Sequence, residues 1–186
     1  MSGIIANKGI KLFQTIIARN GWVLLGRWKS GAFKDRISGC IGQTIDSNET
    51  IQNASVRITK ELTGLQINPD FLKIQALLTF YEEDVKTPSA QVLGDEYKEL
   101  QLYYDGDKHE KADVKKTNSL DLFKETELFI PKWYHIDKIP YDEMPEDDIH
   151  WYPLFLSGKC LTGEFRFQGT QLINHKLHIE KEIKML

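Results

Sequence analysis

Apolar and polar residues change their period several times along the chain, and each change marks an element. Leu12, Phe13, Thr15, Ile16 and Ile17 run into Arg19-Asn20-Gly21, after which Trp22, Val23, Leu24 and Leu25 resume, a hairpin signature. Across residues 28–46 Gly, Ser, Lys and Asp prevail around a short apolar interruption at Ile37, which predicts a loop crossing one edge of a sheet. Ile51, Ala54, Ile58, Glu61, Leu62 and Leu65 then recur at helical spacing, with Asn48 or Ser47 available as the cap and Gly64 near the end. Residues 72–81 and 99–104 read as strands. Trp133 and His135 alternate with Tyr134 and Ile136 in another strand, which Pro140 stops. Residues 147–156 have the length and apolar content of a helix. Glu164-Phe165-Arg166-Phe167, a Gln168-Gly169-Thr170 turn and the alternation of Ile173, His175, Leu177 and Ile179 form a final hairpin.

Strands interleaved with one helix near the middle and one late predict an α+β fold, a mixed sheet sandwiched between helices. The stretch DGDKHEKADVKKTNS, residues 105–119, is polar throughout and predicts a mobile surface loop. With 41% hydrophobic residues in 186, the chain can bury one core, so a single domain over 1–186 is expected. Residues 1–9 form a short leader, too brief for an Arg-rich transit peptide. Localisation is read as cytoplasmic by default, with mitochondrial import left open through an internal signal.

A formal charge of −3 supplies no cationic excess for a phosphate backbone, which argues against a polynucleotide partner and leaves a small nucleotide open. Cys40 and Cys160 lack neighbours at metal-ligand spacing, so neither a disulfide framework nor a zinc site is indicated, and a reducing compartment is the simpler reading. No apolar run reaches the length of a membrane-spanning helix.

The segment GQTIDSNETIQNASVRITKELTGL, residues 42–65, resembles the Nudix box: a Gly, five residues, a Glu, seven residues, then Arg-Glu-apolar-x-Glu-Glu-x-Gly-apolar. Leu65, Gly64, Glu61, Arg57 and Glu49 match it, and Gly42 fits with one extra residue before Glu49. The C-terminal third is similar to the corresponding end of the eukaryotic oxidised purine nucleoside triphosphatases. Trp133, Asp137, Ile139-Pro140, Met144, Asp147-Asp148, Trp151, Pro153-Leu154, Gly163 and residues 165–169 carry that match. The resemblance runs from about Lys11 to about Glu182, interrupted by two apparent insertions at 84–95 and 107–119.

The resemblance implies that box carboxylates at i, i+3 and i+4 gather around magnesium, and those positions here are Ile58, Glu61 and Leu62. Only Glu61 is left as a weak metal ligand. No cofactor is expected, and magnesium only if the chain is active. Glu49 and Arg57 would brace the loop against the helix, while Gly42, Gly64 and Leu65 shape turns and packing. Asp46, Glu82, Glu83 and Glu127 are the acids to which ligand duty could have moved.

Asp147 and Asp148 match the acidic pair that reads the purine edge in the family, one carboxyl protonated and its neighbour accepting. The alternative is that two acids merely begin a helix. Ser38 stands where the family has a base-contacting asparagine, and Pro145 where it has a tryptophan flanking the base. His135, His150, His175 and His178 share no common spacing, and Trp28, Trp133 and Trp151 read as core or pocket wall. Lys108, Lys111, Lys115 and Lys116 read as a solvated loop that could dock a partner. From the lost glutamates follows the expectation of a catalytically degenerate Nudix protein, an accessory, structural or binding subunit of a complex with other protein subunits. The alternatives are an active magnesium-dependent hydrolase, converting oxidised purine triphosphates to monophosphate and pyrophosphate, and a nucleotide sensor without turnover.

Overall fold

The computed structural model describes residues 12–44, 48–83, 90–97 and 123–183. In chain order its elements are β1 (Leu12–Arg19), β2 (Trp22–Trp28), β3 (Ile37–Ser38), β4 (Cys40–Gly42), α1 (Ile51–Thr63), β5 (Leu72–Glu82), β6 (Ala90–Tyr97), β7 (Phe129–His135), α2 (Asp148–Leu156), β8 (Cys160–Gln168) and β9 (Gln171–Glu180). Among the described residues the strands form one sheet in the order β3-β2-β1-β6-β5-β8-β9, with β4 on β1 and β7 on β2. The β1–β2 turn puts Asn20 and Gly21 at φ 49° and 80°, the positive values that a tight right-twisted hairpin requires.

Alternation along β1 divides the core. Phe13 packs beneath α1 with Ala54 and Leu77, whereas Ile16 faces α2 with Leu78, Trp151 and Tyr152. Leu12 and Gln14 share the parity of Ile16, so Gln14 is the one polar side chain that β1 sends toward α2. Trp151, Tyr152 and Phe155 are all at most 1% exposed, each worth about 1.5–3 kcal/mol of apolar burial, and they hold α2 against the sheet.

Four expectations need correction. Thr50 caps α1, its side chain accepting from Asn53 N at 3.2 Å, so Asn48 does not, and Ser47 lies outside the described residues. The edge-crossing loop contains the short strands β3 and β4, which add to β2 and β1. β7 ends at His135, before Pro140, because Ile136–Lys138 turns into a short 3-10 helix. Most consequentially, residues 90–95 of the supposed first insertion belong to β6, a central strand parallel to β1 and antiparallel to β5. Residues 84–89, the strand expected at 99–104, the second insertion at 107–119 and the leader at 1–9 lie outside the described residues. No described helix is long and apolar enough to cross a membrane.

Candidate functional site

The start of α2 brings Asp147 and Asp148 into the interior, 5% and 3% exposed. Two hydrogen bonds and the burial of Met144 in the core hold the segment before them in place: Arg36 Nη1 donates to Met144 O (3.4 Å), and the Leu172 amide donates to Glu146 Oε2 (2.6 Å). Neither acid works as a surface helix-start residue. Asp147 makes no side-chain cap bond, and both carboxyls instead receive the indole N–H of Trp151, at 3.1 Å to Asp147 Oδ2 and 3.0 Å to Asp148 Oδ1. Asp148 Oδ2 is buried and has no hydrogen-bond partner.

Burial drives the titration of both groups. It pushes Asp147 up from 3.8 to about 6, against the opposing pull of the Trp151 hydrogen bond. Asp148 is raised well above the ordinary carboxylate range, first by burial, then by the charge of Asp147. Two adjacent buried carboxyls cannot both ionise cheaply, so the pair retains a proton near neutrality. One member then donates and the other accepts.

The pair forms one wall of a cavity of about 330 Å³ whose lining is mainly apolar, with Phe33, Leu78, Phe80, Pro145 and Phe167 around it. Phe80 stacks on Phe165 with ring centroids 5.4 Å apart, which stiffens that wall. Ser38 reaches the same cavity, but its hydroxyl accepts from Trp28 Nε1 (2.8 Å) and donates to Gly39 O (2.9 Å), so its proton is already committed. Gln14 also lines the cavity and donates from Nε2 to Tyr152 Oη at 2.7 Å. The Gly39 amide donates to the same phenol oxygen at 3.1 Å. Sequence reading passed over Gln14 and Tyr152. The available signal was a carboxamide on the strand face that Leu12, Ile16 and Ala18 otherwise make apolar.

The box segment occupies the opposite side of the sheet. Glu49 and Arg57 make a two-pronged pair, 2.9 Å on each prong, and Arg57 Nη2 also donates to Gln43 O at 3.0 Å. Gly64 closes α1 at φ 77°, and Leu65 is buried with Ile17, Leu24 and Ile67. Ile58 packs among Phe13, Leu77 and Ala54, and Leu62 is 3% exposed beside Cys40 and Phe129. Glu61 is 54% exposed, its nearest charge Arg57 at 3.6 Å. This donor set does not fit a magnesium site. Apolar packing fills two of the three positions, and no group of three potential ligands converges among the described residues. Glu82 is used in receiving the Gly169 amide (2.9 Å), Glu83 and Glu127 join no such group, and Asp46 lies outside the described residues. Of the histidines, His150 and His175 stack at 4.0 Å, again without further ligands.

No family-wide sequence profile matches the chain. The oxidized purine nucleoside triphosphate hydrolase of Danio rerio is 30% identical over 163 residues, covering 87% of this chain and 90% of that protein. Its namesake in Mus musculus is 28% identical over 151 residues, 81% and 82% of the two chains. Among solved structures, the MutT protein of Bacillus halodurans superposes with a TM-score of 0.58 at 13% identity, covering 89% of this chain and 95% of that one. A Nudix hydrolase of Nitrosomonas europaea gives 0.54 at 13% identity, covering 87% and 82%. The structural likenesses show the Nudix fold. The two relatives overturn the expectation of a degenerate accessory subunit, since the match to proteins named as hydrolases runs nearly end to end. That expectation gave the two missing carboxylates of α1 more weight than the likeness of the rest of the chain. The chain has the Nudix fold and belongs to the family of the oxidised purine nucleoside triphosphate hydrolases.

Proposed function

We propose that this protein hydrolyses oxidised purine nucleoside triphosphates, adding water across a phosphoanhydride to yield the monophosphate and pyrophosphate. The observation that supports it most is the buried pair Asp147 and Asp148 in the cavity wall, held together by one indole N–H. A planar base with alternating donors and acceptors along one edge suits this wall, and the apolar lining suits its faces.

The named relatives bring the reaction, and this chain's residues bring the recognition. Asp147 and Asp148 orient the base, Trp151 fixes their carboxyl planes, and Phe80 and Phe167 exclude water from the base faces. No chemical step is assigned to a divalent cation, because α1 does not offer the carboxylates to hold one.

The test is pyrophosphate release from 8-oxo-dGTP, with dGTP for comparison. Turnover of about one per second, preferring the oxidised substrate and lost in Asp148→Asn, is the expected result. A protein that binds 8-oxo-dGTP yet releases no pyrophosphate above the uncatalysed rate overturns the assignment.

A further inference from the structure

We propose that Gln14 is a third base-reading group, accepting the exocyclic amino hydrogen of a 2-amino-6-oxo purine beside the acid pair. This rests on the purine reading above. Gln14 is 4% exposed and lines the cavity, on a strand face whose neighbours Leu12 and Ile16 are apolar. Placing a carboxamide there costs desolvation unless both of its ends are used.

One end is used. Nε2 donates to Tyr152 Oη at 2.7 Å, and Oη also receives the Gly39 amide at 3.1 Å. Gly39 makes room for this arrangement, since a Cβ there would stand 3.2 Å from both Cγ and Nε2 of Gln14 and 2.9 Å from Thr15 O. Tyr152 follows Asp148 by one helical turn on the same face of α2, so its phenol aligns the carboxamide with the acid pair. Among the described residues no hydrogen bond reaches Gln14 Oε1.

The chemistry of the wall follows by counting. Two adjacent buried acids that keep one proton offer one donor and one acceptor, and Gln14 Oε1 adds a second acceptor. The complement is an edge with one acceptor and two donors, which O6, N1–H and the 2-amino group of a guanine-type base supply. Adenine would set its N1 lone pair against an acceptor. Hypoxanthine, lacking the 2-amino group, would leave Gln14 Oε1 buried without a partner, and sites built to hydrogen-bond a group discriminate strongly against its absence.

The experiment is calorimetric titration, in chelator so that binding alone is read, of 8-oxo-dGTP and 8-oxo-dITP, which differ only by the 2-amino group. Wild type is expected to favour 8-oxo-dGTP by about tenfold to a hundredfold. Gln14→Leu and Gln14→Met, both unbranched at Cβ and of similar length, are expected to bind the two nucleotides within about twofold of each other. Equal binding by wild type, a preference for 8-oxo-dITP, or a ratio that survives in either folded variant overturns the role of Gln14 while leaving the purine pocket standing. A wild type that binds neither nucleotide overturns both.

Discussion

Ile58 stands so close over Gly42 that a Cβ on the glycine would come within 2.5 Å of Ile58 Cγ1, and Phe13 Cζ would be 3.0 Å away. The position that would carry a metal-binding carboxylate therefore closes the gap between α1 and β4. Gly42→Ala is expected to destabilise the protein by about 1–3 kcal/mol through overpacking. Adding Ile58→Ala should recover part of that loss, because the clash partner is gone. Urea unfolding of the two single variants and the double variant measures this, and strictly additive losses would disprove the contact.

The same packing sets the metal chemistry of the chain alone. Manganese titrated into metal-free protein without nucleotide is expected to show no saturable site tighter than about 10⁻³ M. Ile58→Glu, at a half-buried position three residues before Glu61, should tighten binding by about tenfold. Leu62→Glu should unfold the protein instead, since a carboxylate at a 3% exposed position beside Phe129 has no partner. A micromolar site in the wild type, abolished by Glu61→Gln, would show that the helix still holds its cation.

Burial of the acid pair predicts a definite pH trend in stability. A carboxyl whose folded pKa is raised binds protons better folded than unfolded, so stability falls as pH rises from the unfolded value toward the folded one. For Asp147 that window runs from about 4 to about 6, and the loss is on the order of 2 to 3 kcal/mol. Asp148 adds to the decline, since burial and the charge of Asp147 raise it as well. The melting temperature of the ligand-free protein should therefore drop between pH 4 and 8 by more than in Asp147→Asn. A wild-type curve as flat as that of the variant would mean that the pair is solvated.

What the sequence revealed and what it hid divide along range of contact. The β1–β2 and β8–β9 hairpins and both helices were legible because Asn20-Gly21, Gly64 and the apolar periods act within a few residues. Residues 90–95 of β6 were read as inserted loop, since Gly94, Asp95 and Glu96 interrupt its apolar pattern and its central place depends on parallel pairing with β1, about 80 positions earlier. Asp147 and Asp148 stood out through resemblance, but the link between Gln14 and Tyr152 spans 138 positions and no local pattern announces it. Ile58 and Leu62 stood out only as departures from the metal-ligand pattern that the resemblance implies. Their structural use, sealing α1 against Phe13 and Phe129, needed coordinates.

Trp151 offers the sharpest test of the paired acids, because one indole N–H serves both. That hydrogen bond favours the charged form of each carboxyl and opposes the upward push of burial. Trp151→Phe keeps an aromatic ring in the core but removes the donor, so both titrations should move further up. Binding of a base by one donor and one acceptor needs the pair singly protonated, which gives affinity a maximum between the two macroscopic pKa values. In Trp151→Phe both limbs of that profile should shift to higher pH, and at pH 6 the affinity should fall by about tenfold as the doubly protonated pair accumulates. The variant should also lose about 1–3 kcal/mol of stability from the smaller ring, which a melting curve reports separately. Calorimetric titration of 8-oxo-dGTP in chelator from pH 5 to 9 decides the matter. An acid limb that stays in place, in a variant shown to be folded, would mean that Trp151 packs beside the acids without governing their protons.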